Sequence, residues 1–411
     1  MRHYHVGIWL LCLLLASASS AETFIIKAGR LLDPESSSIR ENQAITIADG
    51  RIISISDHEV TEAATVIDLS SMTVMPGLMD AHTHLCLHDK GGSDVANVTR
   101  STSYRAIQGV MNAKDMLEAG FTTVRDVGNA GNYADTALRE AVDDGLVPGP
   151  TIINAGRIIS PFGGQLRMLP ERADLLEPEY YSADSRDEMR KAIRENAYYG
   201  AKVIKIVVDD NSFIYSEDDI RFIVEEAGLA GLRVAAHVES RQGTLNAINA
   251  GVATIDHGWE LDEELARKAA QKGIALVSTA FSMPVIEAYG WPDPEDEYRW
   301  VMKVLRTAYE YDVIVAFGSD LYAPVDGMTR GEAALTYIDS FVDAGANDMQ
   351  ILKAFTVNAM TAIGIEDRGL IKEGMAADII AMPGNPLGDI QALKNVAFVM
   401  KNGVVIRSDA P

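Results

Sequence analysis

Cysteine is almost missing from this chain of 411 residues: there are 2, Cys12 inside an apolar N-terminal run and Cys86. If that run is removed on export, one cysteine is left, which excludes an internal disulfide even in a compartment that would permit one. Cys86 then reads as a small buried apolar residue rather than a ligand. Positive charge is also scarce. Lys and Arg number 36 against 59 Asp and Glu, a formal net charge of −23. That balance excludes phosphate-backbone binding, which needs clustered cations, so no nucleic-acid partner is expected and the acidity serves solubility. Long apolar runs are lacking beyond the N-terminus, so no membrane partner is expected once the leader is gone. No short-period repeat or low-complexity tract interrupts the chain.

The leader itself is legible. Met1-Arg-His-Tyr-His carries positive charge, Val6 to Ala16 is apolar but too short to span a bilayer, and Ala16-Ser-Ala-Ser-Ser-Ala21 offers small residues. This predicts a signal peptide over residues 1–21, cleaved after Ala21 or alternatively Ala18, and a secreted or periplasmic protein. Cys12 lies within the apolar run, which excludes a lipoprotein signal. The whole chain is 47% hydrophobic and 23% charged, enough for a full core. Its length suits an α/β barrel with an accessory domain.

Three parts follow. Residues 22–72 alternate as strands do, with Asp49-Gly50 among the turns, and residues 366–411 resume that pattern. Together they predict one accessory β-domain, a β-sandwich built from both chain ends. Between them, 73–365, short apolar runs alternate with helical patterns. The predicted strands are Val74 to Leu78, Thr122 to Arg125, Thr151 to Asn154, Val203 to Val207, Val234 to Ala236, Thr254 to Ile255, Ala275 to Ser278 and Ile314 to Phe317. Helical stretches such as Glu263 to Gln271 and Arg330 to Ala344 separate them, and many end at Gly, as at Gly251 and Gly273. Eight βα units in succession predict a closed (β/α)8 TIM barrel. Longer loops, Ser160 to about Ser185 and Ser282 to Asp296, would lie on its C-terminal rim.

Six residues sit at or near the ends of those apolar runs: His82, His84, Lys205, His237, His257 and Asp320. A His-x-His pair on a strand projects both rings to one side. Taken singly, each has a plainer explanation: a satisfied core histidine, or, for Asp320, a helix N-cap. Asp80 reads as an acceptor behind the pair or a strand-end cap. Lys205 lies inside Lys202-Val-Ile-Lys-Ile-Val-Val, and a lysine facing a core is costly unless paired or modified. Taken jointly the plainer explanations fail. Beyond the leader the histidines are 58, 82, 84, 88, 237 and 257, and four of these converge on one rim. Imidazole, carboxylate and a modified lysine are ligands that hold divalent cations around a hydroxide, a nucleophile at neutral pH.

The run Val74-Met-Pro-Gly-Leu-Met-Asp-Ala-His-Thr-His-Leu85 resembles the first barrel strand of the amidohydrolase superfamily. So do Gly120-Phe-Thr-Thr-Val-Arg-Asp-Val-Gly128, Val203-Ile-Lys-Ile206, His237-Val-Glu-Ser240, Asp256-His-Gly258 and Phe317-Gly-Ser-Asp320, while Gly369 to Ile380 is similar to the segment that closes its accessory domain. The nearest likeness is the branch of Xaa-Pro and Xaa-Arg dipeptidases, imidazolonepropionase-like proteins and ochratoxin-hydrolysing amidohydrolases. The resemblance implies two divalent ions, zinc by ligand type, with manganese or cobalt able to substitute. His82, His84 and Asp320 would bind one, His237 and His257 the other. Lys205, carbamylated by carbon dioxide to N6-carboxylysine, would bridge them. A bridging hydroxide would attack the amide, with Asp320 moving the proton to the leaving amine. A homo-oligomer, octameric by analogy, is implied as well.

One departure stands out. Several dipeptidases of the branch carry Gly-Gly-His after the third strand, where this chain reads Ser160-Pro-Phe-Gly-Gly-Gln165, so Gln165 offers only neutral hydrogen bonds. A substrate carboxylate would need a donor, and Arg157, Tyr322, Arg330 and His88 are candidates by position. The expected substrate is a small amide, a dipeptide or an N-acyl amino acid, including ochratoxin-like aromatic amides. The alternatives are a cyclic amide or imidazolone hydrolase, a lactonase or phosphotriesterase, and a barrel kept only for binding. The bridging lysine weighs against the single-metal imidazolonepropionase type, and the full ligand set against mere binding.

Overall fold

The computed structural model describes residues 23–57, 64–90, 96, 99–128, 131–166, 168–210 and 213–409; the expected leader lies outside them. Among these residues no helix is long and apolar enough to cross a membrane.

The chain begins with β1 (Phe24–Asp33), β2 (Ser38–Ala48), β3 (Arg51–Asp57) and β4 (Thr65–Pro76). Asp49 and Gly50 join β2 to β3 with φ of 51° and 74°, the left-handed pair a two-residue hairpin turn requires. Ten short strands follow: β5 (Leu78–Thr83), β6 (Phe121–Asp126), β7 (Thr151–Asn154), β8 (Ile158–Ser160), β9 (Tyr180–Ser182), β10 (Ile204–Val207), β11 (Val234–Val238), β12 (Thr254–His257), β13 (Ala275–Ser278) and β14 (Val315–Phe317). The last three are β15 (Ile379–Met382), β16 (Phe398–Lys401) and β17 (Val404–Ser408).

Both chain ends build one mixed sheet in the order β17-β16-β15-β4-β1-β2-β3. The expected sandwich is therefore a single seven-stranded sheet. It curls until its edge strand β3 meets the segment before β15, through an Arg51–Ala376 bridge, and closes over Ile26, Ile45, Leu69, Ile379 and Phe398. Its limit also differs from the expected residue 72. Val74, Met75 and Pro76 finish β4 opposite Ala381, Ile380 and Ile379, and the first central strand starts at Leu78. Gly77 permits the change of sheet, since a Cβ there would lie 2.2 Å from Thr122 Oγ1. An apolar run buried on both sides carries no period that could place this break.

The central strands pair in parallel, as crossover helices demand. They form two sheets, β14-β13-β12-β11-β10-β8-β9 and β5-β6-β7, rather than one continuous eight-stranded ring. The third expected strand, Thr151 to Asn154, forms as β7 and pairs with β6; the chain then turns at Gly156 (φ 68°), and a further strand not expected, β8, pairs with β10 at Ile159 and Ile206. Isolated hydrogen bonds join the sheets, Lys202 N to Asn154 O at 2.7 Å on one side and Asp320 N to His82 O at 2.8 Å on the other. Helices lie between strands with ordinary stop and start signals. Glu263–Lys272, for example, begins at Asp262, whose carboxylate accepts from Leu265 N, and ends at Gly273 in the left-handed region. The expected helix Arg330 to Ala344 breaks at Thr336 into Arg330–Leu335 and Tyr337–Asp343. The two long loops are partly ordered, one by β9 and the 3-10 turn Pro170–Leu175, the other by the helix Met283–Tyr289.

Candidate metal centre and substrate cavity

The six residues singled out in the sequence meet at the C-terminal ends of the central strands. Period-two alternation turns His82 and His84 to the same side, their ring centroids 5.2 Å apart. Lys205 projects from β10 and is buried, as are His237 on β11 and His257 at the end of β12. The His257 ring lies 4.8 Å from that of His82 and 4.6 Å from that of His237. Asp320, just past β14, places Oδ1 2.9 Å from His84 Nε2 and 3.4 Å from His82 Nε2, and Oδ2 3.7 Å from His257 Nδ1. His257 and Asp320 both have positive φ, 67° and 49°. That conformation costs about 1 kcal/mol or more for a residue with a Cβ, and here it aims both side chains inward.

Beneath this layer lies a charge network that sequence reading did not find. Arg125 Nη2 donates to both oxygens of Asp256, at 2.9 and 3.1 Å, and Lys205 Nζ donates to Asp256 Oδ2 at 2.8 Å. Thr254 Oγ1 donates to the same carboxylate at 2.8 Å, and His82 Nδ1 lies 3.0 Å from it. The inward lysine is thus paired. Arg125 and Asp256 stood inside the quoted motifs as charged residues in apolar strands, which was the available signal. Asp80 Oδ1 accepts from His82 N and Ser319 N, both at 3.0 Å, and so ties the first strand to the last.

Electrostatics sort these groups. Burial, with the charge of Lys205, pushes His237 down to about 3. Burial likewise lowers His82 and holds His257 well below the usual imidazole range. Burial works against a charged His84, yet the Asp320 carboxylate outweighs it and the imidazole is raised. For Asp320 burial opposes ionisation and the imidazoles of His82, His84 and His257 overcome it, holding the carboxyl well below its ordinary value. Arg125 and Lys205 do the same for Asp256. Burial lowers Lys205 despite Asp256. Neutral imidazoles around a carboxylate are the donor set a divalent ion takes. Ligand atoms of His82, His257 and Asp320 lie within 4.8 Å of one another, as do those of Asp210, His237 and Glu239. His237 Nε2 is buried without a hydrogen-bond partner among the described residues, a lone pair in need of a cation. The residues fit metal ions.

Above them opens a cavity of about 570 Å³. One wall is aromatic: Trp259 stacks 5.4 Å from the His257 ring and 5.2 Å from Trp300, and Phe281 links it to Trp291. The other wall carries Asp210, Glu239 and Glu179. Burial, aided by Asp210 and Asp209, raises Glu239 to about 7. Of the five residues considered for substrate binding, Gln165 and Tyr322 line the cavity. Gln165 donates to Asp210 Oδ2 at 2.8 Å and accepts from Tyr180 Oη at 3.1 Å. The other three are engaged elsewhere. Arg157 holds Glu195 at 3.1 Å and Tyr180 O at 2.9 Å. Arg330 donates to the backbone oxygens of His84, Leu87 and Leu321, and lies 3.4 Å from His88 Nδ1. Cys86 is buried outside the cavity lining.

The sequence profile of the amidohydrolase family matches residues 73–406. An ochratoxinase of Aspergillus niger is 29% identical, over 96% of this chain and 89% of its own. The crystal structure of A. niger ochratoxinase superposes with a TM-score of 0.82 over 95% of this chain and 96% of that one, at 26% identity. A Xaa-Pro dipeptidase with bound methionine in the active site superposes with a TM-score of 0.83, at 28% identity, over 94% of this chain and 100% of that one. The imidazolonepropionase of Kosmotoga olearia is 24% identical over 90% of this chain and 92% of its own.

Proposed function

The chain belongs to the amidohydrolase family, and we propose that it is a binuclear metal-dependent hydrolase of the amide bond to a C-terminal amino acid, in a dipeptide or an N-acyl amino acid. One observation carries the reading: His82, His84, Lys205, His237, His257 and Asp320 line one cavity. Likeness to a Xaa-Pro dipeptidase supports a peptide-type amide, and likeness to an ochratoxinase supports the aromatic N-acyl variant. The two central sheets are read as one (β/α)8 barrel with seams between β7 and β8 and between β14 and β5.

His82, His84 and Asp320 would hold one ion, His237 and His257 the other, zinc suiting these N and O ligands best. Bound there, the ions would supply a nucleophile from water at neutral pH and polarise the carbonyl. Lys205 would join the two as a carbamate, its uncharged amine adding to carbon dioxide with loss of one proton. Burial, which lowers Lys205, favours that uncharged amine. Asp256 then remains neutralised by Arg125 at 2.9 Å. Asp320, kept ionised by its imidazoles, takes a proton from the attacking water and hands it to the leaving nitrogen as the C–N bond breaks. The aromatic wall excludes water around the scissile bond.

Metal analysis joined to a release assay tests this. Two ions per chain and liberation of an amino acid from dipeptides or N-acyl amino acids are expected. Activity confined to lactones or phosphotriesters would reject the amide reading.

A further inference from the structure

We propose that Thr279 is a positioning residue for the metal centre: its hydroxyl accepts the proton on His257 Nδ1 and so reserves Nε2 of that ring for the ion shared with His237. The inference rests on the binuclear reading above and deepens it by naming what fixes the proton of one ligand.

His257 ends β12 and Thr279 directly follows β13, and the two strands pair in parallel from Thr254 opposite Ala275 to Asp256 opposite Val277. Their side chains therefore leave neighbouring strand ends, and Thr279 Oγ1 comes to 2.9 Å from His257 Nδ1. Thr279 is 1% exposed and lies outside the cavity lining, whereas His257 lines it. The two imidazole nitrogens point apart, so with Nδ1 turned to Thr279 it is Nε2 that is left for the cavity. A neutral imidazole has one N–H and one lone pair. An ion takes the lone pair, so the nitrogen that keeps the proton needs an acceptor. Were the hydroxyl the donor instead, Nε2 would carry the proton and could bind no ion.

The other ligand imidazoles are held differently. His82 Nδ1 and His237 Nε2 are buried without a hydrogen-bond partner among the described residues, and His84 turns Nε2 to the Asp320 carboxylate at 2.9 Å. Among the described residues His257 is the one of the four with a hydrogen bond to a hydroxyl. Trp259 stacks on its ring at 5.4 Å, the planes inclined by 23°. Stacking fixes the plane of the ring but not which edge faces the cavity, since a half-turn about Cβ–Cγ keeps the plane and exchanges the edges. The bond to Thr279 chooses the edge. Thr279 is itself held, because its backbone oxygen accepts from Phe281 N at 2.8 Å, closing the turn that carries Phe281 into the aromatic wall.

Thr279→Val keeps the shape of the side chain and removes the acceptor; Thr279→Ser keeps the acceptor. The full chain of wild type and both variants is loaded with zinc and titrated with a chelator, the ions per chain being counted at each step. Nitrogen NMR of isotope-labelled histidine, assigned through His257→Gln, locates the proton on His257 with and without zinc. Thr279→Val should release one of its two ions at a chelator concentration about 10- to 100-fold lower than wild type, with the other ion near its wild-type affinity. Thr279→Ser should hold both ions as wild type does. Wild-type His257 should carry its proton on Nδ1 in both states, while zinc-free Thr279→Val should also populate the Nε2–H form, a change that a packing role alone would not produce. Retention of both ions at wild-type strength in Thr279→Val would overturn the proposal. So would loss of an ion in Thr279→Ser, or a wild-type His257 protonated on Nε2. A wild type that takes a single ion would sink the binuclear reading instead, and the position of the proton on His257 would then decide for or against Thr279.

Discussion

At the floor of the cavity two cations, Arg125 and Lys205, share the one carboxylate of Asp256 at 2.8 to 3.1 Å. At the rim, two carboxylates face one buried imidazole at 3.7 Å, and among the described residues the neutral amide of Gln165 donates to Asp210. The Asp256 side chain is fully buried, whereas those of Asp210 and Glu239 are 24% and 43% exposed, so desolvation costs a charge far more at the floor. The fold compensates the first set itself, so those residues hold the strands and the ligand groups in place. The second set is left in reach of solvent. A substitution at the floor should therefore cost activity and stability together, whereas one at the rim should change what is bound.

The largest test of this contrast is Lys205→Ala. Metal content is expected to fall from two ions to one and kcat/KM to drop by about 10³-fold or more, since the ligands act as a unit. Full activity with two ions would break the assignment of the floor. Next is Arg125→Ala, which leaves Asp256 buried with Lys205 as its single cationic partner before carbamylation and with none after it. A loss of about 3–5 kcal/mol in chemical denaturation is expected, and Arg125→Lys should restore part of it. Trp300→Ala sharpens the rim by comparison: it should raise KM by about 10-fold, on the order of 1 kcal/mol of lost aromatic contact, and leave the metal content alone.

A last test concerns two buried carboxyls outside the cavity lining. Asp126 and Asp135 are buried, and burial raises them to about 7 and about 6. The native protein therefore keeps protons that the unfolded chain releases near its ordinary carboxylate value of 3.8. Stability should fall as pH rises from about 4 to about 7, by up to about 1.4 kcal/mol per pH unit for each carboxyl. Asp135→Asn should flatten that slope in denaturation curves measured across the window. A slope of the opposite sign would show the pair to be ionised and compensated like Asp256.

The ligand set was legible because its signals are local. His82 and His84 share a face by alternation alone, and strands such as Thr151–Asn154 and Ala275–Ser278 fall where the apolar runs put them. What was missed lacked a local signal. The helix Ala134–Asp143 starts at Tyr133, whose side chain makes no cap hydrogen bond. The division of Val74 to Leu78 between two sheets depends on which strand lies alongside, and the pairing of β8 depends on β10 lying beside it. Arg125 and Asp256 are 131 residues apart, so each alone looked like an unexplained charge in an apolar run. Gln165 was expected to offer a substrate neutral hydrogen bonds, and the carboxylate it donates to, Asp210, was not in view.

The sequence by itself determined the kinds of groups available and the faces from which they project, because backbone periodicity is set over a few residues. Only the tertiary structure decided which carboxylates meet a cation and which do not. Desolvation and charge pairing depend on distances of a few ångströms between strands far apart in the chain, and those distances exist only once the strands are neighbours.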